Sequence, residues 1–254
     1  ADGHYVVRFD NRDVGLSQKF EEAGVPNMAE IFMRAQSGQP VTAPYSLDDM
    51  ADDAVGVLDA LGIERAHVCG ASMGGMIVQQ MAVRHGQRLH SMTSIMSSTG
   101  NPDLPKSTPE ATAALLSPAG TTLEDVLARS VSVARTIGSR VHLDDEAVIR
   151  ERARADFERC FYPVGVARQM AAIAVSGNRR PALAGVRTPT LVIHGKDDPL
   201  VPLAGGIDTH EAIPGARLEV FEDMGHDLPE PLWPAIVRHI SAHTAQHHPR
   251  GASR

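Results

Sequence analysis

The sequence predicts an α/β fold, a mostly parallel sheet flanked by helices. Short apolar runs of strand length, bounded by Gly or Pro, recur along the chain, as strands covered on both faces of a sheet require. Helical patterns of period 3.6 separate these runs, and strands alternating with helices build parallel sheets. From about residue 98 to 185 the alternation stops. That stretch is rich in Ala, Arg and Leu and has no convincing strand, so it reads as a helical insert.

Tyr5-Val6-Val7, within residues 4–9, reads as a first buried strand. Ser46 reads as an N-cap with Asp49 in the third helical position. Leu47, Met50, Ala51, Ala54, Leu58 and Leu61 follow on one apolar face, and Gly62 is a stop. His67-Val68-Cys69 reads as a strand with Cys69 packed inside it. Met73 opens a helix that closes at His85 and Gly86, and residues 92–96 form the next strand. Inside the insert, helical windows cover residues 123–137, 144–158 and 164–175. Leu191-Val192-Ile193 and Leu218-Glu219-Val220-Phe221 are the last strands. Residues 232–244 form the last helix, with Pro231 and Pro234 near its start. Residues 1–97 and 186–254 are thus expected to form the core, and 98–185 a cap or lid, since inserts on rigid scaffolds often carry specificity. The polar tail, 246–254, is expected to fray.

Composition narrows the function classes. The chain has 254 residues, 43% hydrophobic and 22% charged, as soluble globular domains do. Its net charge of −7 and its lack of a Lys/Arg cluster argue against a nucleic-acid partner. No apolar run approaches the ~18 residues of a membrane span. Cys69 and Cys160 are too few for a disulfide framework or a cysteine-based zinc site. No secretory leader is visible, and a cytoplasmic location is expected.

Gly70-Ala71-Ser72-Met73-Gly74-Gly75 carries the chemistry. It follows a strand and opens a helix, the context of a nucleophile elbow. The chain must turn at one strained residue, and small neighbours leave room for that turn. Ser72 would then project above the sheet at a helix N-terminus, which favours developing negative charge. The Met73 backbone N–H would form half of an oxyanion hole. A phosphate-binding turn is the rival reading, but Gly-x-Gly-x-x-Gly and the Walker lysine are both absent. A serine nucleophile needs a base, and the base needs an orienting acid. His226, in Met224-Gly225-His226 between the last strand and last helix, falls at the same sheet edge as Ser72. The loop after Leu191-Val192-Ile193 ends at that edge too, and its Asp197 and Asp198 are both candidate acids. Phe161, Tyr162 and Met170 in the insert, with Leu200 beside the acid loop, are candidates for an apolar substrate pocket.

Over nearly its whole length the sequence resembles the α/β-hydrolases, which run Ser, Asp, His in chain order. Gly-Ala-Ser-Met-Gly-Gly matches the family elbow, and Gly225-His226 its histidine motif. His194-Gly195-Lys196-Asp197-Asp198 matches the acid loop, which assigns the acid to Asp198. Phe9-Asp10-Asn11-Arg12-Asp13-Val14-Gly15-Leu16-Ser17 is similar to the loop after the fourth strand, with Asp13 where glycine is usual. That variant, with the segments around Ala54-Val55 and Arg65-Ala66-His67-Val68, resembles the aclacinomycin-methylesterase-like branch and actinobacterial lipase/esterase relatives. The resemblance implies hydrolysis of a small-molecule carboxylic ester through an acyl-enzyme on Ser72, Asp198 and His226, with no metal or cofactor. Thioester, carbon–carbon, lactone or perhydrolysis chemistry would use the same three residues. From another class, a hydrolase-fold binding or regulatory protein would keep the fold with little catalysis. The resemblance also implies three strands ahead of Tyr5 and a loop supplying the second oxyanion donor. On that expectation the chain lacks roughly forty to sixty residues. Without that donor, its rate would be lower by about 10²–10³-fold.

Overall fold

Ala66–Ala71 (β1), Leu89–Ile95 (β2), Thr190–Gly195 (β3) and Arg217–Phe221 (β4) form one parallel sheet in the order β1-β2-β3-β4, in a computed structural model that describes residues 3–248. Met28–Gln36 (α1) and Leu47–Ala60 (α2) precede the sheet. Ser46 Oγ accepts the Asp49 N–H while the Asp49 carboxylate accepts the Ser46 N–H, so both orphan donors at the start of α2 are satisfied. Met73–His85 (α3) joins β1 to β2. Between β2 and β3 come Pro109–Leu115 (α4), Leu123–Ile137 (α5), Glu146–Arg159 (α6), Pro163–Ser176 (α7) and Arg180–Leu183 (α8), with no strand among the described residues. Leu203–Ala212 (α9) joins β3 to β4, and Trp233–Gln246 (α10) follows β4.

Two apolar cores clamp the sheet. Leu47, Met50, Ile77, Met81, Met92, Leu183 and Ile213 join α2, α3, β2, α8 and the end of α9 in one of them. Ile95, Leu191, Ile193, Met224 and Ile236 join β2 and β3 to α10 in the other. Full burial of such side chains stabilises by about 1.5–3 kcal/mol each, which makes the central strands a rigid support. Because all four strands are parallel, the turn after β1 and the loops after β3 and β4 emerge at one edge. Functional side chains of such sheets collect there.

Two expectations are corrected. Tyr5-Val6-Val7 is not a strand: Tyr5 is 87% exposed and Val6 61%, and the segment has no strand neighbour among the described residues. An apolar run becomes a strand only where another strand takes up its backbone hydrogen bonds; here His4 Nε2 instead meets Thr244 Oγ1 of α10 at 2.8 Å. Cys69 lies on β1 but is exposed, because β1 is an edge of the sheet described. The fraying expected of the tail concerns chiefly residues 249–254, which lie outside the described residues. Among the described residues, no helix is long and apolar enough to cross a membrane.

Candidate active site

Ser72 occupies the single residue between β1 and α3, at φ +54° and ψ −118°, a conformation that side chains rarely adopt. The neighbouring glycines make that turn possible. A Cβ on Gly70 would lie 2.0 Å from the Gly74 carbonyl oxygen, and one on Gly75 would lie 2.5 Å from Ser97 Cβ. The Ser72 N–H still donates to the Ile95 carbonyl at 2.9 Å, so the turn stays tied to β2.

Three of the predicted residues meet there. Ser72 Oγ is 2.9 Å from His226 Nε2, and His226 Nδ1 is 2.7 Å from Asp198 Oδ2. A carboxylate can only accept, so Nδ1 carries the proton and Nε2 is left to accept from the Ser72 hydroxyl. The chain of contacts can therefore draw a proton off Ser72 and steady the imidazolium that results. Asp198 is 5% exposed, and its Oδ1 accepts the N–H groups of Leu200 and Val201 at 2.9 and 2.8 Å. Asp197 is exposed, with its backbone N–H on the Met224 carbonyl. The residues alone left both aspartates open; only Asp198 reaches His226.

Sequence reasoning missed the supports around this chain. His194 is fully buried at the end of β3, donates from Nε2 to the Val201 carbonyl at 2.8 Å, and lies 3.8 Å from Asp198. Burial pushes the His194 imidazole below its ordinary pKa, against the opposing pull of the Val201 carbonyl and Asp198. It acts as a neutral strut for the acid loop, and its place at a strand's C-terminal end was the available clue. Ser139 and Asp227, bonded to each other beside His226, gave no local clue, because 88 residues separate them.

The candidate pocket residues have other engagements. The Tyr162 hydroxyl accepts from Arg168 Nη2 at 2.9 Å, and Phe161 packs its ring on Phe157 with centroids 4.8 Å apart. Leu200 contributes its N–H to Asp198, and Met170 is half-buried on α7. The Met73 N–H opens α3, where helix donors lack intrahelical partners. A cavity of about 470 Å³ lies at the opposite end of the sheet, lined by Arg65, Gly86, Leu89, Gly185 and Pro189 among others. Ser72, Asp198 and His226 take no part in it. Among the described residues, no three His, Cys, Asp or Glu side chains are grouped to hold a metal ion.

The alpha/beta hydrolase fold family matches residues 1–230. The chain belongs to this family. This alpha/beta hydrolase is 32% identical to rhodomycin D methylesterase DauP of Streptomyces sp. (strain C5) over 270 residues, covering 96% of this chain and 84% of that protein. It is 30% identical to 2-hydroxymuconate semialdehyde hydrolase of Pseudomonas putida over 191 residues, covering 75% of this chain and 66% of that one. Among solved structures, a hydrolase from Pseudomonas aeruginosa PA01 superposes with a TM-score of 0.66 at 23% identity, covering 94% of this alpha/beta hydrolase and 78% of that chain. That likeness is one of fold.

Proposed function

We propose that this alpha/beta hydrolase cleaves a carboxylic ester through an acyl-enzyme formed on Ser72. The observation that carries the reading is the unbroken chain Ser72 Oγ–His226 Nε2 and His226 Nδ1–Asp198 at a strained strand-to-helix turn. His226 Nε2 takes the hydroxyl proton as Ser72 Oγ attacks the ester carbonyl. The Met73 N–H donates to the oxyanion. The imidazolium returns its proton to the departing alkoxide, which leaves as an alcohol. Water then attacks the acyl-enzyme with His226 again as base, releasing the acid and free Ser72.

A methyl ester of a carboxylic acid is the first substrate to try, since the likeness to the methylesterase DauP spans nearly the whole chain. Residues 98–185 act in this reading as a cap over the Ser72 edge. The contact of Ile137, at the end of α5, with the His226 N–H at 2.7 Å supports that role. Phe161, Met170 and Leu200 remain the candidate apolar contacts for the acyl group. A second reading, carbon–carbon hydrolysis, draws on the 2-hydroxymuconate semialdehyde hydrolase likeness and uses the same residues.

The test is labelling with a serine-directed fluorophosphonate, followed by kcat/KM for a set of methyl esters and for 2-hydroxymuconate semialdehyde. Labelling at Ser72 with faster ester turnover supports the proposal. No labelling at Ser72 sinks it, and faster turnover of the semialdehyde gives the second reading.

A further inference from the structure

We propose that Ser139 and Asp227 are positioning residues, through which the helical insert holds the base His226 in register with Ser72. The proposal rests on the serine-hydrolase reading above.

The loop after β4 gains three ties, at consecutive residues, to the end of α5 and the two residues beyond it. The Gly225 N–H donates to Ser139 Oγ at 2.9 Å. The His226 N–H donates to the Ile137 carbonyl at 2.7 Å. The Asp227 carboxylate accepts the Ser139 N–H, at 3.0 Å from each oxygen, and the Ser139 hydroxyl as well. Ser139 therefore both donates to Asp227 and accepts from Gly225, bracketing His226 from either side.

Two glycines let the backbones come this close. A Cβ on Gly225 would lie 2.6 Å from the Gly138 carbonyl carbon, and one on Gly138 would lie 2.5 Å from the Ala134 carbonyl oxygen and 3.0 Å from Asp227 Oδ2. Chemistry gives the ties a purpose on both sides. Carbonyls in the last turn of a helix have no intrahelical donor, and the His226 N–H supplies one to Ile137. The same helix end carries partial negative charge, which favours the imidazolium formed when His226 takes the serine proton.

The consequence is that the base is not held by the sheet alone. Its loop is bonded to a segment more than 80 residues earlier in the chain, inside the insert, and its own N–H to Ile137 there. Displacement of the end of α5 would carry His226 with it. A shift of about 1 Å at a reacting group can cost about 10²-fold in rate, so the insert's position would set the turnover number.

The experiment compares Ser139→Ala, Asp227→Ala, their double variant and Asp227→Asn with the wild-type chain, using ester turnover and fluorophosphonate labelling. Expected is a fall in kcat of about 10–100-fold in each alanine variant, with KM near the wild-type value. The double variant should lose less than the product of the two single losses, because the Ser139 hydroxyl bond to Asp227 is removed by either substitution. Asp227→Asn, which keeps an acceptor for the Ser139 hydroxyl, should recover most of the rate and covers the case in which an alanine variant does not fold. Wild-type kcat in folded Ser139→Ala or Asp227→Ala, fully additive losses, or a loss confined to KM would overturn the proposal. Failure of the wild-type chain to label at Ser72 would instead overturn the serine-hydrolase reading, and the proposal with it.

Discussion

Asp13 and Arg168 form a two-pronged ion pair with both side chains fully buried, Nε to Oδ2 at 2.8 Å and Nη2 to Oδ1 at 2.7 Å. The pair joins the loop after Phe9 to α7 of the insert, across 155 residues of chain. Further hydrogen bonds surround the pair. Tyr45 Oη and the Phe20 N–H donate to Asp13, and Arg168 donates to the Gly24 carbonyl and the Tyr162 hydroxyl. Burial pushes the Asp13 carboxyl up, but Arg168, the Phe20 N–H and the Tyr45 hydroxyl outweigh it and hold the group below its ordinary value. This accounts for aspartate where the family resemblance leads one to expect glycine.

Asp13→Gly tests the balance of two effects. Asp13 has φ +70°, which glycine adopts freely, so the substitution relieves backbone strain of about 1–2 kcal/mol. It also strands the Arg168 cation in the interior, at a cost of about 3–5 kcal/mol. The second effect is larger, so Asp13→Gly should lower stability by a few kcal/mol in a denaturant titration. The double variant Asp13→Gly/Arg168→Met should recover much of the loss. A single variant as stable as the wild type would refute the balance.

Elements whose partners are near in sequence were legible. The Ser46–Asp49 box and the Gly-x-Ser-x-Gly-Gly turn depend on residues a few positions apart, and their patterns carry their own geometry. Asp197 and Asp198 could not be separated from the residues alone, because one step of loop backbone decides which of them turns inward. The Asp13–Arg168 and Ser139–Asp227 pairs are joined only by tertiary folding, and neither leaves a periodic trace. Tyr5-Val6-Val7 misled for the same reason. Strand composition is local, whereas the partner that makes a strand is not.

Asp198→Asn and Asp197→Asn separate the two acids. Asparagine at 198 can still accept the Leu200 and Val201 N–H groups through its carbonyl oxygen, which turns its NH₂ toward His226. Nδ1 must then accept, the proton moves to Nε2, and the imidazole can no longer take the serine proton. The expected loss in kcat is about 10⁴-fold. Asp197 is exposed and bonds the site only through its backbone, so Asp197→Asn should turn over near the wild-type rate. Steady-state kinetics of the pair decides, and the reverse ranking would move the acid to Asp197.

Replacing Ser72 separates chemistry from strain. Ser72→Ala and Ser72→Gly both lack the hydroxyl proposed as nucleophile, and each should lose about 10⁴-fold or more in ester turnover. Their stabilities should differ. Alanine keeps the strained φ of +54° and should melt near the wild type. Glycine relieves strain of about 1–3 kcal/mol and adds about 0.5–1 kcal/mol of unfolded-chain freedom. Ser72→Gly should therefore be the more stable by about 1 kcal/mol, read as a higher midpoint in urea. Equal midpoints would mean that the turn is not strained.

Acid should weaken the fold through His67 before it reaches the carboxylates. His67 Nδ1 meets Ser91 Oγ at 2.8 Å, and its ring lies 5.2 Å from that of His90 and 5.8 Å from that of His248. Burial, followed by the positive charge that His90, His248, His4 and His243 take up in acid, pushes the His67 imidazole down to about 4 from 6.5. The unfolded chain binds this proton as pH falls through 6.5, while the folded chain resists it down to about 4. Stability is therefore full above 6.5, falls between 6.5 and about 4, and loses nothing further to this group below that. His90 and His243, also lowered chiefly by burial, act in the same sense. The lowered Asp10 and Asp13 carboxyls give way only in more acidic solution, below 3.8. Thermal melting from pH 8 to pH 4 should thus show a declining Tm through that histidine window, and His67→Gln should make the decline shallower. An unchanged slope in His67→Gln would remove His67 as the cause.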